Sequence, residues 1–170
     1  MNIYKKIANR YLKQSSQVTF KMTYEEDLKD HTFDSLHQIE AFSEGQSVGS
    51  FAGSLNLKDQ EEFKKYTCYR DMWSLVAQNP SLVNSENKVY VVEVHSSLLE
   101  EDFQGQGLGV KGYLRLAQHL FQKKTNRTPF LFIPNYCHGV GSVTSPEAKR
   151  VWKSLARKYP SKGDVVLVNK

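Results

Sequence analysis

A chain of 170 residues and 19.5 kDa is sized for one domain around one core, and its 39% apolar, 24% charged composition with nine Phe and nine Tyr is that of an ordinary globular protein. No apolar run approaches the length of a membrane span. The N-terminal Met1-Asn2-Ile3-Tyr4-Lys5-Lys6 has no apolar stretch behind its basic residues, so neither export nor membrane anchoring is expected, and a cytoplasmic protein is.

Charge is polarised along the chain. Residues 1–110 carry a net −5 and residues 111–170 a net +10, together the +5 of the whole. A basic second half suits an anionic cofactor, an acidic partner surface or nucleic acid, or is simply a solvated face; no nucleic-acid-reading motif accompanies the scattered lysines. Cys68 and Cys137, 69 positions apart without an export signal, are expected to be free thiols.

Ile3, Ile7, Ala8, Tyr11 and Leu12 recur at helical spacing, which predicts an added amphipathic helix within an N-terminal extension over residues 1–15. Alternation of Val18, Phe20 and Met22 predicts a strand over about 17–24. Residues 31–43 and 47–57 read as the strands of an antiparallel hairpin joined at Ser43-Glu44-Gly45-Gln46, with two glycines weakening the second strand. Residues 59–78 predict one or two helices or turns, with Trp73 as their core anchor.

The strongest strand is Lys88 to Val94, nearly continuous in β-branched and aromatic residues and interrupted only by Glu93; Leu98 and Leu99 extend it past a bulge or splay near His95-Ser96-Ser97. Gln104-Gly105-Gln106-Gly107-Leu108-Gly109 then opens a helix over about 108–123. Strand, glycine-rich turn and helix in that order either aim backbone N–H groups at a phosphate or merely let the backbone bend and pack closely. Phe130 to Ile133 forms a further strand stopped by Pro134. Ser145-Pro146-Glu147 starts a helix over 146–158, with Ser145 as cap, and Val165 to Val168 is a last strand. The order describes one α/β domain spanning residues 1–170, with a mixed central sheet. Tyr136-Cys137-His138 lacks the partners of a metal or nucleophile site, and no metal is expected. Asn126-Arg127-Thr128 matches a glycosylation pattern only formally.

On these residues the chain resembles the general-control-type N-acetyltransferase (GNAT) superfamily. Gln104, Gly107 and Gly109 fill its short motif of Gln or Arg, two residues, Gly, one residue, then Gly or Ala, and the later strand, helix and strand follow in the family's order over roughly residues 17–168. The resemblance implies a GNAT-like fold with helices on both faces of the sheet and binding of acetyl-CoA or CoA. The pyrophosphate would lie on Gln104, Gly105, Gln106, Gly107, Leu108, Gly109 and Val110, with Ser145 nearby and the pantetheine arm along Leu98 and Leu99.

It also implies transfer of the acetyl group to a primary amine of a small molecule or protein. Glu93 would be the base, with His95 in reserve, and the acceptor would be held by the hairpin, the 59–78 segment and the 134–145 loop. The family's Asn, Ala, Tyr pattern in the late helix is Ser145, Ala148, Trp152 here, so the usual phenolic acid is absent. Tyr159 and Tyr136 are the alternatives, unless the thiolate leaves unprotonated. A non-catalytic coenzyme-binding or interaction module and a tRNA- or nucleic-acid-directed transferase are the other expectations. Monomer and homodimer are both compatible with the sequence.

Overall fold

The computed structural model describes residues 18–26, 35–122, 129–138 and 145–168. The expected N-terminal helix and Asn126-Arg127-Thr128 lie outside them. Among the described residues seven strands form one mixed sheet in the order β1-β2-β3-β4-β5-β7-β6: β1 Thr19–Glu26, β2 Ser35–Ser43, β3 Gln46–Asp59, β4 Lys88–Leu99, β5 Phe130–Pro134, β6 Ser161–Lys162 and β7 Val165–Val168. Only β4 and β5 run parallel. The described α-helices are α1 Tyr69–Gln78, α2 Leu108–Gln122 and α3 Pro146–Ala156. This is the expected α/β class with a mixed sheet.

Alternation along β4 sorts the interior into two layers. Tyr90, Val92 and Val94 face α2 and α3, where they meet Tyr113, Leu116, Leu120, Trp152 and Leu155. Val89 and Val91 face the opposite side, packing with Met72, Leu75 and Val76 of α1 and with Phe63 and Tyr66 before it. Glu93 continues that second row and is 0% exposed. Trp73 is not the expected anchor. The buried stripe of α1 is Met72, Leu75 and Val76, and one position off that stripe leaves the indole 48% exposed.

The β2–β3 hairpin turns at Glu44 and Gly45, both with positive φ (51° and 83°), which suits the right-handed twist of the strands it joins. The glycines of β3 do not weaken it. A Cβ on Gly53 would stand 2.6 Å from the carbonyl oxygen of Glu93, so glycine there lets β3 and β4 pass closely beside an irregularity in their register. That irregularity skips His95, which is the expected bulge.

The thiols are not free. Cys68, at the N-cap of α1, is bonded to Cys137 in the turn after β5, with Cα atoms 5.4 Å apart. Spacing in the sequence carries no information on proximity. The fold lays the start of α1 on the end of β5, where the Thr67 N–H also donates to the Cys137 carbonyl at 2.7 Å.

Candidate functional site

Pro134 is the pivot of the site. It has no N–H to continue the parallel ladder, and β4–β5 pairing ends at Val94 opposite Pro134. Pairing of β4 with β3 runs on to Leu99 opposite Gly49. From His95 to Leu99, therefore, one edge of β4 is no longer laddered to β5. Ser97 and Leu98 are exposed there, Leu98 at 70%.

A short 3-10 turn, Glu101–Phe103, follows and is anchored by the buried Phe103. Gln104 folds back, its Nε2 donating to the Leu99 carbonyl at 3.0 Å, and Gln106 Nε2 likewise reaches the Asp102 carbonyl at 2.9 Å. Gly105 and Gly107 have φ of 73° and 75°, a region costly for other residues. A Cβ at either would meet nothing within 4 Å, so conformation, not crowding, explains these two glycines. The turn delivers the chain into α2, whose first N–H groups have no carbonyl partners within the helix.

Between this turn, the free edge of β4 and α3 lies an open cavity of about 600 Å³, within the usual size of a cofactor site. Gly107, Gly109 and Val110 bring the N-terminus of α2 to it, and Ser145, Glu147 and Ala148 bring that of α3. Two helix starts at one cavity give a positive field on which backbone N–H groups converge. Ser145 caps α3, its hydroxyl oxygen accepting from the Ala148 N–H at 3.2 Å. The Glu147 carboxyl is held below its ordinary range by its own backbone N–H and the Ser145 hydroxyl. With Arg150 opposite in sign on the same wall, the lining side chains leave anion attraction largely to the backbone.

Of the residues expected at a cofactor, Leu98, Leu99, Gln104, Gly105, Gly107, Gly109, Val110 and Ser145 line this cavity. Gln106 and Leu108 do not; the Leu108 side chain is buried in the core. Neither Glu93 nor Tyr159 lines it. Tyr159 packs partly buried on the α2/α3 core, and the side chain of Tyr136 lies outside the described residues. Glu93 is sealed in the α1 layer, where burial raises its carboxyl to about 8 against the opposing charge of Lys58. Burial, then the Glu93 charge, also pushes the Tyr66 phenol up.

Around Glu93 the sheet carries a polar row. Ser54 lies opposite it in β3, Asn56 Nδ2 donates to Ser54 Oγ at 3.1 Å, and Ser54 Oγ is 2.8 Å from His95 Nε2. Asn135 Nδ2 reaches the His95 carbonyl at 3.5 Å. His95 thus sits just past the end of the β4–β5 ladder, partly exposed, where Glu93 is fully enclosed.

Tyr113 of α2 belongs to the core by its position. Its ring does pack at 5.4 Å from Trp152 and 6.0 Å from Phe132, but its hydroxyl lies 2.9 Å from Ser97 Oγ and the residue lines the cavity. Burial raises this phenol, partly opposed by the Ser97 hydrogen bond, so it is a proton donor near neutral pH. The position came within the apolar stripe of the helix, and only its polar tip and the exposed Ser97 could have marked it. Comparison with known protein families and with curated proteins returns no match.

Proposed function

We propose that the protein is an N-acetyltransferase of GNAT-like fold that takes an acetyl group from acetyl-CoA and passes it to a primary amine of a small molecule or protein. The observation that carries this reading is the cavity where two helix N-termini meet the unladdered edge of β4. The N–H groups from Gln104 to Val110 and those opening α3 suit a pyrophosphate, and the edge at Leu98 and Leu99 suits the amides of an extended arm. Bound there, acetyl-CoA supplies an activated acyl carbon for attack by a neutral amine, with a thiolate as leaving group.

In this reading Tyr113, rather than Trp152 or Tyr159, supplies the phenolic hydrogen bond, and Ser97 orients it. His95, nearer the opening, forms the proton-accepting side; the enclosed Glu93 lies behind it and would take part only with the α1 layer opened. Tyr113→Phe keeps the ring packing and removes the hydroxyl. It is expected to cut turnover roughly 100-fold while leaving CoA affinity within about threefold, which stopped-flow or steady-state assays with a thiol-trapping dye would measure. Equal losses in binding and turnover would assign Tyr113 to packing alone.

The direct test of the reading is thermal stabilisation by acetyl-CoA and by CoA. Both are expected to raise the melting temperature, and Gly107→Val, which forces a β-branched residue into positive φ, is expected to weaken binding at least about tenfold. Absence of a shift with either compound sinks the assignment. A second reading, a coenzyme-binding module without transfer, is favoured by the complete enclosure of Glu93 and by Trp152 in place of a phenol. Binding with no thiol release across amines, peptides and aminoacyl compounds would select it.

A further inference from the structure

The other end of α2 carries a feature that the acetyl-transfer reading does not use. His119 lies in the last turn of that helix, eleven positions beyond Leu108, and its side chain meets β1 and β2 at the far edge of the sheet. Glu25 of β1 and His37 of β2 are direct partners in the antiparallel register, so both side chains project from the same face. That face is the one α2 covers. One potential ligand atom from each of Glu25, His37 and His119 lies within 4.8 Å of the other two. The imidazole rings stand 5.5 Å apart and tilted by 56°.

The geometry points to a metal site formed by Glu25, His37 and His119, with zinc the best-matched ion. Two imidazoles and one carboxylate are a recurrent zinc set, and three protein ligands leave a fourth position for water. In a tetrahedral shell with bonds of about 2.0–2.2 Å the ligand atoms stand roughly 3.4 Å apart, so closure on an ion draws the three groups in by about 1 Å. Of the three, Glu25 is the exposed one, on the outermost strand of the sheet. The two histidines are already set by the fold: His37 is 1% exposed within the sheet, and His119 is partly buried, its Nε2 enclosed and without a hydrogen-bond partner among the described residues.

The ligands come from three elements separated by as many as 94 positions in sequence, which is why no spacing motif announces them. An ion here would fasten the outermost strand to the helix whose other end opens the cavity. The site is independent of acetyl transfer and stands or falls separately from it.

The test uses the full oxidised chain, whose cysteines are paired and do not compete for metal, without reductant or chelator. Isothermal titration with zinc is expected to give one ion per chain, and cobalt(II) a visible spectrum of low coordination number. Glu25→Gln and His119→Gln, which spare the buried His37, are each expected to weaken zinc binding at least tenfold and to remove the cobalt spectrum, with far-ultraviolet circular dichroism unchanged. Failure of the full chain to bind zinc, or equal binding by both folded variants, overturns the assignment.

Discussion

Replacing Glu93 by Gln is expected to flatten the loss of stability between about pH 5 and pH 8.5, leaving the variant roughly 4 kcal/mol more stable than the parent at the alkaline end. Burial raises the Glu93 carboxyl from 4.5 to about 8. Because the folded-state value lies above the unfolded one, the native contribution is full below about 4.5, where both states hold the proton. It is lost progressively as pH rises, since the unfolded chain releases its proton first, and the loss is complete above about 8. At about 1.4 kcal/mol per pH unit the interval gives a ceiling near 5 kcal/mol, of which water admitted to a loosened layer takes back a part. The amide of Gln keeps the shape and does not titrate. Urea denaturation of both proteins at the two pH values measures the difference directly, and parallel stabilities would show that Glu93 is not held neutral. The same substitution separates structure from chemistry: if Glu93 also accepts the amine proton, turnover of the parent climbs towards pH 8 and the variant loses that limb.

Breaking the Cys68–Cys137 bond, by reductant or as the double Cys→Ser variant, is expected to cost about 4 kcal/mol. The bond closes a loop over a sequence separation of 69, and constraint of the unfolded chain alone accounts for a stabilisation of that order. For a chain of this length the melting temperature falls by roughly 10 °C. Calorimetry with and without reductant checks it. A melting temperature that does not respond would mean that the turn after β5 is held by its packing and by the Thr67 hydrogen bond, with the sulfurs adding nothing.

The strands were the most legible part of the chain. Val89 to Val92 and Phe130 to Ile133 are apolar on both faces because both faces are covered, and such runs read as strands without knowledge of their neighbours. The helix starts were legible too, since Ser145 and Pro146 carry their positional chemistry locally. Most of the expected residues that line the cavity belong to one contiguous turn with a strand before it and a helix after it, which a linear reading can assemble. What a linear reading could not supply was anything made by register or by layers. Glu93 looked like an accessible base until the second layer closed over it. Tyr113 sits in an apolar stripe that does not reveal its hydroxyl's contact with Ser97, and the size of Trp73 does not reveal its outward direction. Cys68 with Cys137, and Glu25 with His37 and His119, are neighbours only after the sheet is laid out. Short strands such as Ser161–Lys162, with no side-chain pattern of their own, are visible only through the partner they pair with.

The described residues clad the sheet unequally. One side carries two helices with an aromatic knot of Tyr113, Phe132 and Trp152; the other carries the ten residues of α1, short turns, a tie of two sulfurs and an enclosed acid. Cooperative opening follows the weaker cladding. Alkali and reductant therefore act on the same thin panel, one by charging Glu93 beneath it and the other by cutting its fastening. The panel can lift while the opposite wall, with the cavity at its end, keeps its packing. Among the described residues, β4 thus parts a firmly packed side from a side expected to yield first.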